Sequence, residues 1–287
     1  MVICFAEEPV KINRSFLPIP GGKWHLSRHL LKMIPDHYTY VEAFGGGALL
    51  LLRKPPSPIE VYNDIDSNLV NLFRVVRDKW KFKQFYHRIV WTLCSREEFK
   101  YAIQMENEVG IDEVEKACCT FIAIQQSFGR RRGTWAFNRL AQRSASAAVR
   151  WKNVKALLKH IHRRLEDVYI ENDDFRNIIP RYDTPETFFY LDPPYYPGTY
   201  ASDVMKYRMT EKDYEDLFTL LLNIKGKVLL SGYPHPAYEV LEKAGWGRKD
   251  IKRLVCLPNL TPLGSKRTYR IESLWFNYEL PNGGDVK

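Results

Sequence analysis

Short apolar runs and longer helical periods alternate along the chain. Tyr38-Thr39-Tyr40-Val41-Glu42-Ala43-Phe44 is rich in β-formers and stops at Gly45-Gly46-Gly47, so it reads as a strand. Ile59-Glu60-Val61-Tyr62 is a second strand, bounded by Pro55, Pro56 and Pro58 before it and Asn63-Asp64 after it. A helical pattern follows each. Ala48 to Leu52 continues from the glycines, and Asp66 or Ser67 can cap a helix through Leu69, Leu72, Phe73 and Val76. Strand and helix in alternation predict a parallel sheet.

The middle of the chain changes period. From about Lys79 to Leu165 the pattern is that of amphipathic helices with no clear strand. Ser95-Arg96-Glu97-Glu98 opens one helix in the manner of a capping box, and Asp112 opens another towards Gln126. Ser127 to Ser146 is polar, basic and punctuated by Gly, so it reads as a loop or hairpin. Trp151 to Leu165 is helical again, with Val154, Leu157, Leu158, Ile161 and Leu165 on one face. The alternation then returns. Val168 to Asn172, Thr187 to Leu191, Lys227 to Ser231, Ile251 to Leu257 and Glu272 to Tyr278 read as strands. Thr210 caps a helix from Glu211 to about Asn223, and Pro236 opens one towards Ala244. The expected organisation is an α/β sheet domain from residues 1–78 and 166–287, interrupted by a helical insert at 79–165.

Composition narrows the class. The chain has 287 residues, 45% hydrophobic and 27% charged, as in ordinary globular proteins. The longest uncharged run, Ala117 to Gly129, is 13 residues, short of the roughly 20 that a bilayer-spanning helix needs. The N-terminus lacks the positive start and long apolar stretch of a secretory signal. Five cysteines with no Cys-x-x-Cys argue against a zinc site or a disulfide framework. A reducing, cytoplasmic setting is expected. Charge adds more. Of the net +9, 11 Lys and Arg and no acid fall between Thr120 and Leu165, while the rest of the chain has 32 bases against 34 acids. A one-signed field attracts a polyanion such as nucleic acid. The alternative is a basic helix face neutralised by Glu106, Glu108, Asp112, Glu113 and Glu115.

Three clusters carry candidate chemistry. Phe44-Gly45-Gly46-Gly47 joins a strand to a helical pattern, where glycines let backbone turn tightly and approach a ligand. It also fits a plain strand-to-helix turn. Asp64 lies at the end of the next strand, placed to accept from ribose hydroxyls, and the pair implies an adenosine-containing cofactor. Asp192-Pro193-Pro194-Tyr195 ends an apolar strand. Its two prolines fix φ and remove two donors, so the Asp192 carboxylate and Pro193 carbonyl can face one amino group while the Tyr195 ring stacks on a base. The bland reading is a Pro-Pro surface turn capped by Asp. Gly21-Gly22-Lys23 could hold a cofactor carboxylate, or simply be a loop with a solvated lysine.

In this order the three clusters resemble the Dam-type DNA adenine methyltransferases. Pro20-Gly21-Gly22-Lys23 is similar to the family's Ala-Gly-Gly-Lys loop, with Ile19 standing where an aromatic residue is usual. Val41 to Gly47 is similar to its cofactor motif, with Ala43 in place of a common Pro and the three glycines contiguous. Tyr62-Asn63-Asp64-Ile65-Asp66 resembles the ribose segment, and Asp192 to Tyr195 the catalytic tetrapeptide. The resemblance implies a Rossmann-like sheet, mostly parallel with one antiparallel strand, and a mainly helical target-recognition domain inserted in it. It implies S-adenosylmethionine as methyl donor, no metal, and methyl transfer to the 6-amino group of an adenine flipped out of double-stranded DNA. Asp192, Pro193, Pro194 and Tyr195 would be catalytic. Ile19, Lys23, Phe44, Gly45, Gly47, Asp64, Asp174 and Asp192 would line the cofactor, with Lys23 and Asp192 near its methionine moiety and Asp174 near its adenine.

The basic window supplies the expected DNA contacts. Arg130, Arg131, Arg132, Asn138, Arg139 and Arg143 suit a loop or hairpin projecting into DNA, with at least one reading a base. Lys152, Lys155 and Lys159 on the following helix would hold phosphates. A monomer on DNA, with no membrane partner, is expected. Two other readings remain open on sequence: transfer to an RNA adenine or a cytosine 4-amino group, and a catalytically dead DNA-binding module.

Overall fold

The computed structural model describes residues 12, 15–19, 21–128, 133–136, 146–199, 207–255 and 268–281. Strands β1 (Thr39–Glu42), β2 (Ile59–Asn63), β3 (Val168–Glu171), β4 (Thr187–Leu191), β5 (Lys227–Gly232), β6 (Gly247–Val255) and β7 (Thr268–Phe276) form one seven-stranded sheet. Their order is β3-β2-β1-β4-β5-β7-β6. The first five run parallel, and β7 pairs antiparallel with both β5 and β6. One strand thus runs against the other six, as expected. The order reverses between β1 and β4, and that switch point is where an open α/β sheet leaves a crevice beyond its carboxyl ends.

Side-chain alternation divides the core between the two faces of the sheet. Tyr40, Tyr62, Phe188 and Leu229 point to one face, and Val41, Val61, Phe189 and Leu230 to the other. The second face is covered by α8 (Phe175–Tyr182), α9 (Glu211–Leu222) and α10 (Glu239–Lys243), through residues such as Ile178, Leu217 and Leu241. The first face carries α1 (Ser27–Met33), α2 (Ser67–Arg77), α3 (Lys79–Trp91), α5 (Glu113–Gln125), α6 (Ala147–Lys155) and α7 (Leu158–Leu165), while α4 (Arg96–Met105) packs against α5. Asp66, Ser95, Asp112 and Thr210 cap α2, α4, α5 and α9 as the sequence predicts, each cap contributing about 1 kcal/mol.

The helices of 79–165 do not enclose a core of their own among the described residues. Phe85, Phe121, Trp151 and Leu158 belong to the cluster that includes Tyr40, Tyr62 and Phe188 of the sheet. Phe121 is central: its ring centroid lies 5.6 Å from Phe16, 5.6 Å from Phe85 and 5.7 Å from Trp151.

Three local expectations change. Ala48 to Leu52 is a run of turns rather than a helix, because Ala48 takes a left-handed φ of 51°. The helix expected over Trp151 to Leu165 is two, α6 and α7. Neither Pro nor Gly stands at the joint, where the chain turns through a tight bond from Leu157 N–H to the Val154 carbonyl, 3.0 Å. The last two strands begin four residues earlier than their apolar runs suggest, at Gly247 and Thr268. The polar first half of each is stabilised by pairing with the second half of the other.

Candidate active site

A cavity of about 400 Å³ opens at the carboxyl ends of β1 to β4. Each strand delivers one motif to it: β1 the Phe44–Gly47 turn, β2 Asp64, β3 Asp174 and β4 Asp192–Tyr195. The segment before α1 adds Ile19 and Lys23. The structure thus brings Ile19, Lys23, Phe44, Gly45, Gly47, Asp64, Asp174, Asp192, Pro193, Pro194 and Tyr195 around one space.

The glycines have a reason within the fold itself. A Cβ on Gly45 would overlap the Tyr62 ring and lie 2.9 Å from the Asn63 carbonyl, so β2 can pass only if this residue has no side chain. Gly46 sits at φ +50°, and its N–H donates to Asp64 Oδ2 at 2.7 Å. The turn after β1 and the acid after β2 are therefore one hydrogen-bonded unit.

Lys23 is 2% exposed and its ammonium has three near partners. It donates to Asp192 Oδ1 at 2.7 Å and to the Tyr195 hydroxyl at 2.9 Å, and lies 2.9 Å from Glu272 Oε1. Two of its N–H groups are thus given to Asp192 and Tyr195, with Glu272 as an ion-pair partner. Burial opposes the charge, but Asp192, Tyr195, Glu272 and Tyr190 outweigh it and hold Lys23 well above the ordinary lysine range. This is not the solvated lysine that its loop allows.

The tetrapeptide presents a specific pair of acceptors. Asp192 Oδ1 takes Lys23 and also the Ser231 hydroxyl, 2.8 Å away. The Pro194 carbonyl accepts from the Tyr214 hydroxyl at 2.6 Å. Among the described residues nothing donates to Asp192 Oδ2 or to the Pro193 carbonyl. The Tyr195 ring is stacked on Tyr233, with centroids 4.0 Å apart and planes 13° from parallel. Burial raises the Tyr195 hydroxyl above its ordinary pKa, against the opposing effect of Lys23.

The far side of the cavity is acidic. Asp64 accepts from Gly46 N–H and, at 2.8 Å, from Asp66 N–H. Burial lifts its pKa to about 6 despite those amide donors. Asp174 caps α8 through Arg176 N–H at 2.8 Å, and its carboxylate pairs with the Arg176 guanidinium at 3.0 Å. Arg176 in turn binds Asp213 and Asp216. Sequence reasoning missed Glu42 and Glu272. Glu42, 1% exposed at the end of β1, accepts from Tyr40 O–H and Leu51 N–H at 2.7 Å each, both on Oε1. Burial pushes its pKa up to about 7, the donors resisting. It lines the cavity within the motif already singled out, and an acid inside an apolar strand was the available signal.

Of the expected DNA contacts, Arg130, Arg131, Arg132, Asn138, Arg139 and Arg143 lie outside the described residues. Lys152 is exposed on α6. Lys155, for which a phosphate contact was expected, is half-buried and serves the fold. Its ammonium donates to the carbonyls of Val90 and Thr92, at 2.9 and 2.6 Å, and so caps the end of α3. Lys159 lies over the Tyr86 ring, 5.2 Å from its centroid. No helix among the described residues is long and apolar enough to cross a membrane.

Comparison with known proteins fixes the class. The profile of the D12 class N6 adenine-specific DNA methyltransferases matches residues 20–253. The chain is 27% identical over 257 residues to the Type II methyltransferase M1.LlaDCHI of Lactococcus lactis subsp. cremoris, covering 81% of this chain and 86% of that one. It is 27% identical over 236 residues to the Type II methyltransferase M.MjaIII of Methanocaldococcus jannaschii, covering 71% and 75%. The chain belongs to the D12 class N6 adenine-specific DNA methyltransferase family. It is an adenine-specific DNA methyltransferase, and that membership implies S-adenosylmethionine as its methyl donor.

Proposed function

We propose that the cavity holds S-adenosylmethionine along the ends of β1, β2 and β3, and that the target adenine, turned out of the duplex, meets Asp192–Tyr195 at its β4 end. The wall chemistry fits such a cofactor. Glu42, Asp64, Asp66, Asp173, Asp174, Asp192 and Asp213 line the cavity against Lys23, Arg176 and Arg208. An acidic lining suits a ligand that carries a sulfonium and an ammonium. Glu42 Oε2, left over by the two bonds to Oε1, is assigned to the ammonium. Asp64 keeps acceptor capacity for the ribose hydroxyls, and Asp174 is assigned to the adenine end. Bound there, the cofactor supplies an electrophilic methyl group.

The chain's own part is to hold and activate an amine. The adenine 6-amino group is a weak nucleophile because its lone pair is delocalised into the ring. Two N–H bonds, one to Asp192 Oδ2 and one to the Pro193 carbonyl, favour a pyramidal nitrogen with an available lone pair. Acceptors fixed in advance need no reorganisation during the reaction, and holding both reactants in one cavity supplies the rest of the acceleration. Tyr195 and Tyr233 form the aromatic wall for the extruded base, whose removal from the stack costs a few kcal/mol. Residues 79–165 are assigned to DNA recognition, with Lys152 on a phosphate and the six basic or amide side chains from Arg130 to Arg143 nearer the bases. The observation that carries this reading is a pair of acceptors to which no described residue donates, Asp192 Oδ2 and the Pro193 carbonyl.

Asp192→Ala tests it. The variant should fold and bind duplex DNA, while kcat for methyl transfer to unmethylated genomic DNA falls more than about tenfold, a barrier increase of over 1.4 kcal/mol. Sequencing of the product reads base, position and context together. A variant that retains a tenth or more of parental kcat would sink the assignment.

A further inference from the structure

Glu272 lies on β7, the antiparallel strand, and is 1% exposed. It is not among the residues that line the cavity. Its Oε1 is 2.9 Å from Lys23 Nζ, and its two carboxylate oxygens are 3.4 and 3.5 Å from the Tyr195 hydroxyl. A buried carboxylate is costly unless paired.

We propose that Glu272 is a positioning residue for methyl transfer: through Lys23 it fixes Asp192 Oδ1, and thereby the orientation in which Asp192 offers Oδ2 to the target amine. Three contacts from two parts of the fold define the place of one ammonium. Asp192 follows β4, Tyr195 follows it in the same loop, and Glu272 comes from β7, two strands away across the sheet. With Glu272 removed, Lys23 keeps only the two partners that belong to the loop it is meant to hold. Loop and lysine can then move together. Glu272 ties both to the sheet, and Ser231 at the end of β5 makes the second tie at Asp192 Oδ1. The inference rests on the assignment of Asp192 to the amine made above.

Among the described residues, the charged and titratable groups acting on Lys23 are Asp192, Tyr195, Glu272 and Tyr190, with the buried Tyr214 and Tyr238 as well. Burial works against the ammonium, and Glu272 is one of the two carboxylates that offset it. Glu272→Gln should therefore move the alkaline limb of the kcat profile to lower pH. At the pH optimum kcat should fall more than about tenfold, while KM for unmethylated genomic DNA stays within about twofold, since the substrate itself touches nothing that changed. Glu272→Asp keeps the charge on a shorter arm. It should lose kcat but leave the alkaline limb where the parent has it. A purely structural glutamate would lower the melting temperature without shifting that limb. Parental kcat and a parental profile in Glu272→Gln overturn the proposal. If that variant does not fold, Glu272→Asp decides: reduced kcat at unchanged KM supports positioning, and parental kcat overturns it. Asp192→Asn run alongside separates the two levels. If it is inactive while Glu272→Gln is parental, only the role of Glu272 fails. If Asp192→Asn keeps parental kcat, the reading of the tetrapeptide fails and this inference with it.

Discussion

Asp64 shows how one side chain serves the fold and the ligand together. Its carboxylate gathers the N–H groups of Gly46 and Asp66, joining the turns after β1 and β2, while facing the cavity. Burial raises its pKa to about 6, which means that the free fold disfavours the ionised form. The stability this group contributes is full below the ordinary carboxylate range and is lost as pH rises through about 6. Cofactor binding runs the opposite way, because only the ionised carboxylate accepts from both ribose hydroxyls. Affinity for S-adenosylmethionine should thus be full above pH 6 and fall by up to roughly tenfold per unit below it. Glu42, raised to about 7, titrates over an overlapping range. The diagnostic is therefore the difference between the parent and Asp64→Asn in calorimetry. The variant should bind more weakly by about 1–3 kcal/mol at pH 8 and should lose the step near pH 6. Equal affinities at both pH values would leave Asp64 a purely structural acid. At this scale the sequence was legible where a motif follows a strand directly, as with Asp64, Asp174 and Asp192. It was silent on Glu272, because a lone acid in a strand shows its partner only once Lys23, near the other end of the chain, has been folded against it.

At the scale of elements, hydrophobic period located strands β1 to β5 to within about two residues; β1, β2, β4 and β5 are buried along most of their length, whereas β3 buries only Val168. It placed β6 and β7 late, since their outer halves are polar and depend on mutual pairing. It also read α6 and α7 as one helix and assigned Lys155 by charge alone. In the structure Lys155 and Lys152, three residues apart, do different things. Lys155 satisfies the last carbonyls of α3, and its amine is pushed below the ordinary lysine range by burial, with Cys94 opposing. Lys152 is exposed. Lys155→Met should cost about 1–2 kcal/mol of stability, through two lost charge-assisted bonds to helix-end carbonyls, and leave the salt dependence of DNA binding unchanged. Lys152→Ala should leave stability within about 0.5 kcal/mol and lower the slope of log affinity against log salt by about one. Denaturant melts and DNA titrations over a range of salt read both quantities. The reverse result would place the phosphate contact on Lys155.

Across the whole molecule, the sequence pattern implied a sheet domain interrupted by a helical insert, and the packing joins the two. The sheet face bearing Tyr40, Tyr62 and Phe188 shares one apolar cluster with Phe85, Phe121, Trp151 and Leu158, so the helices of 79–165 have no independent core among the described residues. Phe121 is fully buried and its ring meets Phe16, Phe85 and Trp151. Phe16 precedes the cavity-lining Leu17, and its carbonyl accepts from the Gln125 side chain at the end of α5. The helices of 79–165, the segment before α1 and the sheet therefore stand or fall together. Calorimetric unfolding should show a single transition, with a calorimetric to van't Hoff enthalpy ratio near one. Phe121→Ala should lower stability by about 3–5 kcal/mol. Its effect should appear equally in far-ultraviolet circular dichroism, which reports all helices and strands, and in fluorescence from Trp151 in the insert and Trp275 in the sheet. S-adenosylmethionine at about 100 times its Kd should raise the whole transition by an amount equivalent to about 2.7 kcal/mol, although the cofactor segment is only part of the cluster. Two resolved transitions, with the cofactor shifting only one, would show that 79–165 folds as a separate domain and that the shared cluster is an interface rather than a core.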